Sequence, residues 1–294
     1  MLWLCFAVSG AAALGLELLW VRSAGLVVGA TAPTAATVLA TYFAGLGIGA
    51  MLARSPPRRP VVRYGLLELG VSAGALWSLA AFRFLASDTG QRALATAGPG
   101  APVAVAAAIL PATILLGATL PVLGQALAAA DVGRRGGLLY AVNTLGAAVG
   151  IAAMGFGLPA AIGVTRSYVA VAGASALAAA VALAVGDGDA RAPTGAAPRV
   201  APSTRLRVVA AGTGALGLGL EVLWIRLFAQ VLHNSVYSFA AVSLVFVVAL
   251  AAGAALGAVL LSRTPPAAVA ARAPLSPTAS AMAPASALAP ATTT

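Results

Sequence analysis

Two glutamates sit inside long apolar runs, where a carboxylate is costly. Glu17 lies in GAAALGLELLWVR (Gly10–Arg22) and Glu221 in GALGLGLEVLWIR (Gly214–Arg226). At membrane depth an acidic side chain must be paired, hydrated or protonated. Two readings of the pair stand. Both carboxylates face one cavity and bind a cation or take up protons, or each is bonded to a neighbouring helix as packing. Arg22 and Arg226 follow five residues later, about 140° around a helix, so neither faces the glutamate of its own run. They read as interfacial anchors whose stems snorkel, or as inter-helix ion-pair partners. Trp20 and Trp224 fit an outer aromatic belt. Glu68 stands about one turn inside another apolar run, beside the basic stretch Arg54–Arg63, and is expected to pair with one of its arginines. Asn143 opens a further run and reads as packing glue between helices or as a cavity residue.

The rest of the chain offers little chemistry. It contains no Ser/His/Asp set, no metal cluster and no phosphate loop. GLGIGA at 45–50 lies wholly inside an apolar run with no strand before it, so it reads as a close-packing helix face and not a dinucleotide loop. His233 stands alone, Gly186-Asp187-Gly188-Asp189 reads as loop, and Cys5 is the single cysteine. No catalytic residue, metal or cofactor is assigned.

The elements that must carry these residues are membrane helices. Of 294 residues, 61% are hydrophobic and 8% charged, against about 25% charged in an ordinary soluble domain. That excludes a soluble enzyme, a disordered chain and a coiled coil. A bilayer core needs roughly 20 apolar residues as helix, and eight runs meet this length: Leu2–Arg22, Pro33–Ala53, Tyr64–Ala86, Pro102–Ala129, Leu138–Leu158, Val164–Val185, Val208–Ala229 and Tyr237–Leu261. They are continuous and rich in Ala and Leu, unlike the alternating strands of a membrane barrel. Pro111 and Pro121 are expected to kink the fourth. The expected fold is an all-α, polytopic bundle of about eight spans.

All 17 basic residues are arginine, against 7 acidic residues. Twelve fall in alternate connections, among them Arg54, Arg58, Arg59, Arg134 and Arg135, and five on the opposite side. By the positive-inside tendency both termini are cytoplasmic, in a bacterial inner membrane. The arginines mark topology and imply no nucleic-acid partner; the implied partner is the lipid bilayer. Residues 1–185 read as a six-helix unit, 186–207 as a cytoplasmic linker, 208–262 as a helix pair, and 263–294 as a disordered Pro/Ala/Ser/Thr tail.

The first and seventh runs are copies. Nine of thirteen positions are identical between Gly10–Arg22 and Gly214–Arg226, at a constant offset of 204. The likeness continues into the next run, where Gly45-x-x-x-Gly49 corresponds to Gly253-x-x-x-Gly257. Six helices between copies make the repeat parallel, the organisation of major facilitator transporters. Such a transporter has about twelve spans; here the first six are followed by two.

GLELLWVR with its following span, RYGLLELG (Arg63–Gly70), GATLPVLGQAL (Gly117–Leu127) and GLLYAVNTLGAAVG (Gly137–Gly150) together resemble the membrane part of the fused major-facilitator/spermidine-synthase-like family. The resemblance covers about Gly10 to Arg263 and implies a transporter-like helical region joined to a synthase-like domain. That soluble domain is missing, and no residue is assigned to aminopropyl transfer, so the chain is not expected to be an enzyme by itself. The expected role is a membrane module that binds or moves a small, cationic metabolite through a cavity lined by Glu17 and Glu221; the positive charge is expected from the carboxylates inside the spans and from the polyamine association that the resemblance implies. The alternative is a non-transporting anchor or scaffold for a separately encoded polyamine-synthase-like enzyme, or a truncated remnant. A homodimer or a soluble synthase-like partner is expected to complete it.

Overall fold

In hydrocarbon every backbone N–H and C=O must be satisfied within the segment, so long apolar runs become helices. The structure, a computed structural model, describes residues 1–55, 57–127, 134–187, 203–231 and 235–263. The described secondary structure is helical throughout, with no strand among those residues. Among the described residues eight segments are long and apolar enough to cross a membrane, as the runs predict. The chain is an integral membrane protein built as a polytopic helical bundle.

The spans are α1 (Leu2–Val28), α2 (Ala32–Leu52) and α3 (Pro60–Ala86), a short α4 (Asp88–Ala97), then α5 (Ala101–Leu127) and α6 (Arg134–Ala152). α7 (Leu158–Ile162), α8 (Val164–Val185), α9 (Thr204–Val231) and α10 (Val236–Arg263) complete them. A π-helical turn at Ala153–Gly157 joins α6 to α7, so one span runs from Arg135 to Ile162. Several helices outrun the apolar stretches that foretold them. α1 continues to Val28 and ends at Gly29, whose φ of 98° suits glycine. α9 begins at Thr204, four residues inside the expected linker. Residues 188–202 of that linker and the tail from 264 lie outside the described residues. α5 is one continuous helix despite Pro111 and Pro121.

α1 is the central post. It packs on α6 and α8, and touches α2, α3 and α10. Without a hydrophobic force between helices in lipid, close van der Waals packing has to hold them, and small residues permit it. A Cβ at Gly10 would meet the Asn143 carbonyl of α6; one at Gly146 or Gly150 would meet the carbonyls of Ala7 or Ala11 on α1. The α2–α5 pair uses the same device, with Gly45 against Thr113 and Gly49 against Ile114. The GLGIGA stretch is therefore a helix-packing face. α10 packs on α6, and α9 mainly on α10. No residue of α9 is buried.

The arginine-rich end is tied together by polar contacts. Val61 and Val62, in the first turn of α3, donate their backbone N–H groups to Asp187 Oδ1 and Oδ2 at 2.8 and 3.3 Å. An acidic group at a helix N-terminus satisfies orphan donors and complements the dipole. Gln125 Nε2 donates to the Ala53 carbonyl at 3.5 Å, linking the ends of α5 and α2. Arg58 and Arg59 are exposed there, and Arg135 borders a hollow of about 440 Å³ with Trp3 and Leu127. The side chain of Arg134 lies outside the described residues.

Candidate functional site

Two acidic positions define the interior, at different depths. The first joins the two copies of the repeat. Glu17 of α1 is 2% exposed, and its Oε2 has no hydrogen-bond partner. Glu221 of α9 is half-buried, and Ser243 of α10 donates its hydroxyl to Glu221 Oε1 at 3.0 Å. The two carboxylates act on one another electrostatically. The fully buried Tyr42 of α2 lies within electrostatic range of both. The repeat thus brings its two glutamates within electrostatic range of one another.

A cavity of about 250 Å³ lies toward the other end from the arginine cluster. Val21 and Gly25 line it from α1, and their counterparts at the 204 offset, Ile225 and Ala229, line it from α9. Glu17 is four residues before Val21 and Glu221 four before Ile225. Positions i and i+4 share a helix face, so each carboxylate lies about one turn below the cavity wall. Thr31, which caps α2, Thr34 in its first turn, and Ser235 and Ser238 near the start of α10 supply hydroxyls higher up.

The remaining predicted residues distribute differently. Arg22 lines the cavity, half-buried, while Arg226 is exposed. Trp20 is not an interfacial belt residue. It is fully buried, and its Nε1 donates to Ser78 Oγ of α3 at 2.9 Å, with the Tyr42 ring 6.2 Å away. Belt and core tryptophans look alike in sequence because both need one polar partner for the indole N–H. Trp224 is 45% exposed. Asn143 is not beside the carboxylate pair either. Its Nδ2 donates to the Phe6 carbonyl at 2.9 Å, fastening α6 to α1 eleven residues before Glu17. The packing-glue reading of Asn143 is the one this bond supports.

Glu68 does not pair with an arginine of the basic stretch. Its side chain is fully buried and neither carboxylate oxygen has a hydrogen-bond partner. The reason is helical phase. Tyr64, Glu68 and Ser72 form one buried stripe of α3, whereas Arg63 is five residues from Glu68 and exposed. The stripe turns inward, where the hydroxyls of Ser9 (α1), Ser175 (α8) and Tyr64 surround the carboxylate. Arg83, near the far end of α3, bonds Thr165 Oγ1 at 3.2 Å.

Sequence reasoning did not single out Tyr42, Ser243, Ser78, Ser9 or Ser175, and it read Asp187 only as part of a loop, not as the cap of α3. Each is a polar group inside or beside an apolar run, and that was the available signal. Among the described residues no group of three or more His, Cys, Asp and Glu side chains could hold a metal ion; His233 lies outside them. Comparison with protein-family models, curated proteins and solved structures finds no match to this chain.

Proposed function

We propose that this membrane protein is a transporter-like module that binds a small organic cation between α1 and α9. The observation that carries the reading is the convergence of Glu17 and Glu221, one from each copy of the repeat, beneath a cavity lined by equivalent positions of both copies. Two carboxylates at membrane depth repel one another and gain from a shared positive charge. An ammonium group has three N–H donors to offer. Glu17 Oε2 accepts none from the protein, and Tyr42 adds a hydroxyl. Arg22 sets a positive charge at the rim, so the cation-selective level is one turn deeper. The resemblance to the fused major-facilitator/spermidine-synthase-like family favours a polyamine as that cation. The arginine-rich end would be cytoplasmic, in an inner membrane, with both termini on that side.

The test is saturable binding of radiolabelled spermidine to the purified protein in detergent. The double variant Glu17→Gln, Glu221→Gln should lose it by about tenfold or more in affinity. Unchanged affinity in the folded double variant would refute the cavity role.

A second reading, a non-transporting anchor or scaffold for a soluble enzyme, draws on one observation: α9 buries none of its residues. Absence of any saturable spermidine binding in folded wild-type protein would favour it.

A further inference from the structure

The carboxylate of Glu68 belongs to no part of the α1–α9 compartment. It is fully buried between α3, α1 and α8, and both of its oxygens lack a hydrogen-bond partner. A second orphan lies across from it. Ser175 Oγ on α8 is fully buried and also has no partner. Buried polar atoms without partners are rare, and three oxygens orphaned in one place call for a common cause.

The surrounding groups narrow that cause. The Tyr64 hydroxyl stands near Glu68 but donates its only proton to the Cys5 carbonyl at 3.1 Å. Its oxygen therefore presents a lone pair toward the carboxylate and not a donor. Ser9, almost fully buried on α1, adds another hydroxyl. The result is an inward-facing set of oxygens from three helices close around Glu68, in which both carboxylate oxygens and the Ser175 hydroxyl lack a well-formed hydrogen bond. Ligands of a hard cation have this relation: they surround the ion and stand apart from one another. A donor set made of oxygen alone suits a hard cation and not a soft one. One carboxylate balances one positive charge, and a divalent ion would leave net charge buried at membrane depth.

We infer that Glu68, Ser9, Ser175 and Tyr64 form a binding site for a monovalent metal cation of the sodium type, separate from the Glu17–Glu221 compartment. Glu68 supplies the charge. The hydroxyls replace the hydration shell, and the Tyr64–Cys5 bond orients the phenol oxygen. The site spans α1, α3 and α8, so occupancy ties the central post to two neighbours and stabilises the bundle.

The experiment measures ²²Na⁺ binding to the purified protein in detergent, together with thermal stability in sodium chloride against choline chloride. Wild-type protein should bind ²²Na⁺ saturably and melt higher in sodium, because a ligand that binds only the folded state stabilises it. Glu68→Gln should lose the sodium response by about tenfold or more in affinity. Ser175→Ala guards against a simple folding defect. Its hydroxyl has no protein partner to lose, so stability in choline should be unchanged while sodium affinity falls. The Glu17→Gln, Glu221→Gln variant should retain sodium binding, which separates failure of this site from failure of the organic-cation site. No ²²Na⁺ binding by wild-type protein would overturn the inference. So would a stability that responds to pH alone, or sodium affinity unchanged in both Glu68→Gln and Ser175→Ala.

Discussion

The segment Gly10–Arg22 and its copy Gly214–Arg226 share nine of thirteen residues, yet meet opposite surroundings. In α1, Gly10 sits against the Asn143 backbone, Trp20 is sealed from solvent and lipid alike, and Glu17 is buried. In α9, Gly214 has nothing within 4 Å, Trp224 is 45% exposed, and Glu221 is half-buried. The following helices repeat the contrast. Gly45 and Gly49 seat α2 on α5, while Gly253 and Gly257 of α10 meet nothing within 4 Å. One motif thus serves two energetic roles. Its glycines, tryptophan and arginine take their role from the neighbours each copy is given. The two glutamates, one buried and one half-buried, nevertheless act on one another electrostatically.

The largest effect should come from the glycine seam. Gly10→Leu drives a side chain into the α6 backbone and should cost more than about 4 kcal/mol, enough to abolish the folded bundle. Gly214→Leu should change stability by no more than about 0.5 kcal/mol. Size-exclusion profiles and melting curves in detergent read both; equal damage would break the comparison. Next, Trp20→Ala removes a buried indole and should cost about 3–5 kcal/mol. Trp224→Ala should stay within about 0.5 kcal/mol, and a similar loss of melting temperature in the two variants would show that α9 is covered. Ser78→Ala sharpens the origin of the Trp20 effect. It leaves the indole N–H without its acceptor and should cost about 1–3 kcal/mol, whereas the same change made with Trp20→Phe should cost much less. The smallest effect belongs to the arginine-rich end. Asp187→Ala uncaps α3 and should cost about 1 kcal/mol, read as a lower melting temperature with ligand binding retained.

The eight spans, the repeat and the two glutamates inside apolar runs were legible because length, internal identity and a charge in an apolar run survive without an alignment. Burial was not legible. Lipid is as apolar as the bundle interior, so hydrophobic periodicity does not say which face packs inward. Trp77 and Phe84 of α3 are more than half exposed, while Ser72 and Glu68 on the same helix are buried. Trp20 was misplaced for this reason, and Glu68 because its nearest arginines in sequence lie on another face of α3. α4 escaped notice because its ten residues carry too few apolar side chains to register as a span; Ser87 caps it, accepting from the Gly90 N–H at 3.2 Å. The Asp187 cap joins positions more than a hundred residues apart, which no local pattern reveals.

The central claim is that two copies so differently buried contribute equally to one cation site. Titration of radiolabelled spermidine against the single variants Glu17→Gln and Glu221→Gln tests it most directly. The account predicts that each single change weakens binding by about tenfold or more, the exposed copy as much as the buried one. Wild-type affinity in Glu221→Gln, alongside a loss in Glu17→Gln, would contradict it.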